Sequence, residues 1–132
     1  MNHIAVHEAA HVTVFLTYGV KASATVSSDR GLTTPEPHHL TAEQQLVVHC
    51  AGAVGEHLYG DHAVPLHTGL YGDCINICRL LGVSEDKAMG YATCIAMLIE
   101  SKEAHFIPEK SHQDLLRQAV REAQTILEGI TQ

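Results

Sequence analysis

Basic residues are scarce in this chain: 8 Lys and Arg stand against 15 Asp and Glu in 132 residues, a formal net charge of -7. Phosphate backbones are gripped by clustered Lys and Arg, so this balance argues against a nucleic-acid footprint and disfavours anionic membrane surfaces. No run of about 18 apolar residues occurs, which excludes a helical membrane span. Cysteine is limited to Cys50, Cys74, Cys78 and Cys94. None shows the paired CxxC spacing of a zinc ribbon or redox site, and buried reduced thiols are expected. Residues Met1 to His7 lack the basic stretch and apolar run of a secretory leader, and no GxxxxGK phosphate loop is present. A chain of this length can bury one core, so the expectation is one soluble cytoplasmic domain over residues 1–132.

What is present is His7-Glu8-Ala9-Ala10-His11, an HExxH motif in an apolar, helix-permissive run. Two His four residues apart project from one helical face a turn apart, so both can reach one metal ion while the intervening Glu reaches the water that the ion activates. With 11 His in the chain, such a motif arises by chance on the order of once in fifteen similar compositions. Neighbouring segments therefore have to decide.

The periodicity predicts a first helix from Asn2 to Thr17 with Gly19 as its stop, carrying the motif. Val20 to Pro37 reads as loop with a short β-prone piece at Ala24 to Val26 and a turn at Asp29-Arg30-Gly31. Thr41 with Gln44 forms a capping box for a second, largely apolar and central helix ending before Gly60. Asp61 to Gly72, with Pro65, Gly69 and Gly72, reads as loop, and a third helix is expected from Asp73 to Leu81 with Gly82 as its stop. Ser84 is the expected cap of a helix running through Ile99. After a break at His105 to Lys110, Ser111 is the expected cap of a last helix ending at Gly129. The fold class is mainly α, with a short β segment near residues 22–35.

Catalytic zinc takes three protein ligands and keeps one open position, so His7 and His11 need a partner. Asp73, His67, Asp61, Glu56, His57 and His62 are the candidates. Asp73, read as standing at a helix N-terminus, would be stabilised there as the anion, although a plain N-cap has the same pattern.

Three segments in order, His7 to His11, Ala51 to Gly60 and Thr68 to Asp73, resemble the protease domain of FtsH-type ATP-dependent zinc metalloproteases. In that family the pattern runs HEAGH, then AGRxAEE ending in aromatic-Gly, then TTGAxND. The resemblance covers about residues 4–82. It implies a compact helical zinc-metallopeptidase domain in which His7, His11 and Asp73 hold zinc and Glu8 is the general base. Glu56 would support the site behind the ligands. His67 is the rival ligand, and with Thr68 also a candidate for contacting substrate. The implied substrate is peptide or unfolded protein, paired in extended form with an edge strand, for which Ala22 to Ser27 is the available segment. The chain departs from the pattern at Ala10 (Gly in the family), at Gly72 (Asn) and at Ile77-Cys78 (Ala-Thr). Without a phosphate loop, any unfoldase would be a separate ATPase, and a homo-oligomer is the other partner left open. Two rival readings remain: a catalytically degenerate zinc-binding module that holds peptides or a protein, and a helical domain in which HExxH is accidental.

Overall fold

The computed structural model describes residues 2–60, 67–101 and 109–129 and, for residues 67 and 68, the backbone alone. Among the described residues the protein is mainly helical: α1 (His3–Thr17), α2 (Ala42–Tyr59), α3 (His67–Leu81), α4 (Ala88–Ile99) and α5 (Lys110–Gly129), with one antiparallel hairpin, β1 (Ala22–Val26) and β2 (Gly31–Pro35). None of these helices is long and apolar enough to cross a membrane.

Local signals account for most boundaries. The Asn2 side chain accepts the Ile4 N–H at 2.7 Å and starts α1. Gly19 and Gly82, both with positive φ, end α1 and α3. In each case the next amide reaches back five residues, Val20 to the Phe15 carbonyl and Val83 to that of Cys78, both at 2.9 Å. That closure satisfies carbonyls the helix leaves open and needs a left-handed residue, which glycine adopts without a Cβ clash. At the start of α2 the Thr41 side chain accepts the Gln44 N–H while the Gln44 side chain accepts that of Thr41, so the capping box is real.

α2 is the centre of the molecule, packed against α1, α3 and α5. Its Val47, Cys50, Ala51, Ala53 and Val54 are sealed from solvent. All four cysteines are buried and free, and burial raises the thiol pKa of Cys50, Cys74 and Cys94, the last to about 11. They serve as small core residues. α5 is polar on its outer face and docks through Leu116, Ala119, Val120, Ala123 and Leu127. Each fully buried Leu there contributes about 1.5–3 kcal/mol.

Three boundaries differ from the sequence reading. Residues 67–72 are helical, so α3 begins six residues before Asp73. Gly69 and Gly72 read as breakers, but a Cβ at Gly69 would come within 3.1 Å of His7 Nδ1 and 3.2 Å of Glu56 Oε2. The helix passes close to its neighbours there, and packing outweighs a propensity cost of about 1 kcal/mol. Ser84 makes no side-chain cap; a 3-10 turn, Glu85–Lys87, leads into α4 instead. The last helix starts at Lys110, which places Ser111 inside it. The break expected at His105 to Lys110 falls mostly outside the described residues.

Candidate metal centre

α1 presents His7 and His11 on one face, with ring centroids 4.7 Å apart. Asp73, in the second turn of α3, reaches both. Its Oδ2 lies 2.8 Å from His7 Nε2 and 3.4 Å from His11 Nε2. Asp73 is therefore not oriented by a helix N-terminus, as its reading as a helix-start residue implied, but by two imidazoles 66 and 62 residues away in sequence.

The remaining ring nitrogens are held from behind. His11 Nδ1 lies 2.7 Å from the Val48 carbonyl. A carbonyl only accepts, so Nδ1 carries a proton, and Nε2 faces Asp73. His7 Nδ1 lies 2.9 Å from Glu56 Oε2, the supporting position that the resemblance implied for Glu56. Both nitrogens of His7 thus meet carboxylates, and a doubly protonated ring satisfies both. Burial would lower the His7 pKa, but the hydrogen bonds to Asp73 and Glu56 outweigh it and push the value up to about 10. Burial would likewise raise the Asp73 pKa, yet His11 and His7 hold it well below the usual carboxylate range. Without a bound cation the His7 share of stability is complete below 6.5 and lost as pH rises through about 10; the Asp73 share is present above 3.8 and lost as pH falls.

His7, Glu8 and His11 form a buried group whose ligand atoms lie within 4.8 Å of one another and could hold a metal ion. Asp73 competes with Glu8 for the third position, and geometry favours Asp73. Glu8 Oε1 is 4.0 Å from His11 Nε2 and accepts a hydrogen bond from Thr33 Oγ1 at 3.3 Å, which draws it toward β2. Ligands about 2.0–2.2 Å from a tetrahedral zinc are roughly 3.3–3.6 Å apart. The His11–Asp73 separation already matches, and that of His7 and Asp73 would open by roughly 0.5 Å. Two imidazoles and a carboxylate, each imidazole fixed by an acceptor behind it, are a donor set that fits a divalent metal ion.

Close packing makes this convergence possible. A Cβ at Gly52 would run into the His7 ring, and one at Gly55 would lie 2.5 Å from the Ala10 Cβ. α1 and α2 therefore cross on glycines. Gly55→Ala alone should cost about 1–3 kcal/mol of stability. Ala10→Gly alone should cost about 1 kcal/mol; combined with Gly55→Ala it should recover most of the loss. Denaturant unfolding of the two single variants and the double variant reads the coupling, and strictly additive losses would refute the contact.

The cleft over these residues has a volume of about 630 Å³ and is walled by α1, α2, α3 and β2. β2 lines it through Gly31, Leu32, Thr33 and Pro35, whereas no residue of Ala22 to Ser27 does, so the strand beside the site is the second one. His67 and Thr68 open α3, but their side chains, like Asp61 and His62, lie outside the described residues. His57 is half-buried and does not line the cleft. The chain matches no family model, no curated protein and no solved structure.

The sequence reading missed His49. It lines the cleft from α2 together with Gln45 and Glu56, and these three and Gly52, which lies against the His7 ring, follow one another at helical spacing. A polar stripe at intervals of four, three and four on an otherwise apolar helix was the available signal. Burial lowers the His49 pKa, Asp73 raises it and His11 lowers it further, so His49 feels both residues electrostatically.

Proposed function

We propose that this chain is a zinc-dependent metallopeptidase domain of the FtsH protease type that hydrolyses peptide bonds in unfolded or flexible polypeptides. The observation that carries the reading is the meeting of His7 Nε2, His11 Nε2 and Asp73 Oδ2, with Glu8 beside them but tied to Thr33. A second observation supports the resemblance. Where the family pattern has Gly in HEAGH and Ala in AGRxAEE, this chain has Ala10 and Gly55, and those two positions touch. The methyl group has changed helices while the crossing keeps room for only one.

His7, His11 and Asp73 would hold the zinc. When bound, zinc supplies a Lewis acid that lowers the pKa of water toward 7 and polarises a carbonyl. Glu8 accepts the proton of the attacking water as its oxygen bonds to the carbonyl carbon, and later returns that proton to the amine nitrogen as the C–N bond breaks. Thr33 holds the Glu8 carboxylate in place against β2. β2 pairs with β1 along one edge only, and among the described residues no other strand covers its second edge. An extended peptide could pair there, which would favour unfolded segments as substrate.

Zinc added to the purified chain should bind at one ion per chain. Because His7 must give up its proton, about one proton should be released per ion between about pH 7 and 9, and affinity should climb with pH over that range. Calorimetry in buffers of different ionisation enthalpy measures both, and cleavage of an unfolded polypeptide such as casein tests turnover. A folded chain that takes up no zinc overturns the reading. Zinc uptake with no cleavage across varied unfolded substrates favours the zinc-binding module that holds peptides without cutting them.

A further inference from the structure

We propose that His49 is a substrate-contacting residue of this cleft, donating a hydrogen bond to the scissile carbonyl oxygen as that oxygen gains negative charge. The inference rests on the peptidase reading and adds a residue that the HExxH resemblance does not supply. His7, His11 and His38 each commit a ring nitrogen to another group: Glu56, the Val48 carbonyl and the Leu40 N–H respectively. His49 lines the same cleft, is half-buried, and makes no hydrogen bond with any described residue. No buried side-chain nitrogen or oxygen among the described residues lacks a partner. The ring nitrogens of His49 are therefore not sealed from solvent, and the residue is part of the cleft wall.

Its position is fixed by neighbours that serve the site. Val48, the preceding residue, accepts from His11, and Gly52, one turn on, is the residue whose bare Cα admits the His7 ring. His49 lines the same cleft as Asp73 and His11 and senses both electrostatically. Glu8 comes from α1, where Thr33 of β2 holds it, and His49 from α2, so a base and a hydrogen-bond donor belong to separate walls of the cleft. An imidazole donates an N–H in either protonation state, so the role does not depend on its charge. A fixed donor aimed at developing negative charge in a partly closed site is worth about 100- to 1,000-fold in kcat.

The test uses the zinc-loaded chain with His49→Ala and His49→Gln. Zinc affinity, read by chelator competition, should stay within about threefold of the parent, since His49 is not a ligand. Binding of a phosphinic peptide, whose tetrahedral oxygens mimic the charged intermediate, should weaken about 100-fold or more in His49→Ala. Cleavage should lose a similar factor in kcat with little change in KM. His49→Gln, which keeps a side-chain N–H, should recover part of both and serves in place of His49→Ala if that chain does not fold. Parent-like phosphinic binding and kcat in both variants overturns the role of His49 and leaves the peptidase reading intact. A tenfold or greater loss of zinc affinity also overturns it, by making His49 a ligand. A parent protein that neither cleaves peptides nor binds the phosphinic peptide removes the peptidase reading, and the inference with it.

Discussion

Glu8→Gln should abolish nearly all peptide hydrolysis, by about 100- to 10,000-fold, while one zinc still binds per chain. The amide is nearly isosteric and keeps an oxygen for the Thr33 hydroxyl, so the contact with β2 need not rearrange. What disappears is a group able to take a proton from water. The same variant also separates the two ligand sets that the geometry allows. If His7, Glu8 and His11 hold the ion, Glu8→Gln loses the metal. If His7, His11 and Asp73 hold it, zinc is retained and Asp73→Ala loses it instead. Zinc content by atomic absorption together with peptide cleavage rates gives both answers. Hydrolysis at the parent rate in Glu8→Gln would remove Glu8 from the mechanism.

Gly52→Ala should damage the site more than any other single methyl group in the chain. The added carbon would overlap three atoms of the His7 ring, Nε2 among them. Either the imidazole swings away from Asp73 and Glu56 or α1 and α2 separate. Overpacking of this kind costs about 1–3 kcal/mol, and here the cost falls on a ring with a charged partner on each side. Loss of the Glu56 contact alone should lower metal affinity about 10- to 100-fold, and displacement of the ligating nitrogen should lower it further. Zinc titration and thermal unfolding of Gly52→Ala measure the two effects. Wild-type affinity in a folded Gly52→Ala protein would mean that the His7 ring does not sit against α2 as described.

Much of the architecture is written locally. Helical periodicity, the Thr41–Gln44 capping box and the glycine stops at Gly19 and Gly82 mark α1, α2 and the end of α3, and all three devices are present. The i, i+4 spacing placed His7 and His11 on one face without reference to any other residue. The start of α3 was misread because Gly69 and Gly72 carry the local signature of a loop. Only the neighbouring His7 and Glu56 side chains explain why a glycine belongs inside a helix at position 69. His49 went unread because polar positions on an apolar helix do not say which of them faces a site until the opposite wall of the cleft is known.

The motif, its helix and the mainly helical class were thus determined by the sequence alone, since hydrogen bonds and periodicity act over a few residues. The choice among candidate partners for His7 and His11 was decided by tertiary structure. Asp73 stands 66 residues from His7, and nothing local at Asp73 distinguishes it from a capping residue. It reaches the imidazoles because α1, α2 and α3 approach closely at Gly52, Gly55 and Gly69, and that approach depends on which Cβ atoms are missing across the helix crossings. Steric fit between segments distant in the chain leaves no periodic trace in any one of them.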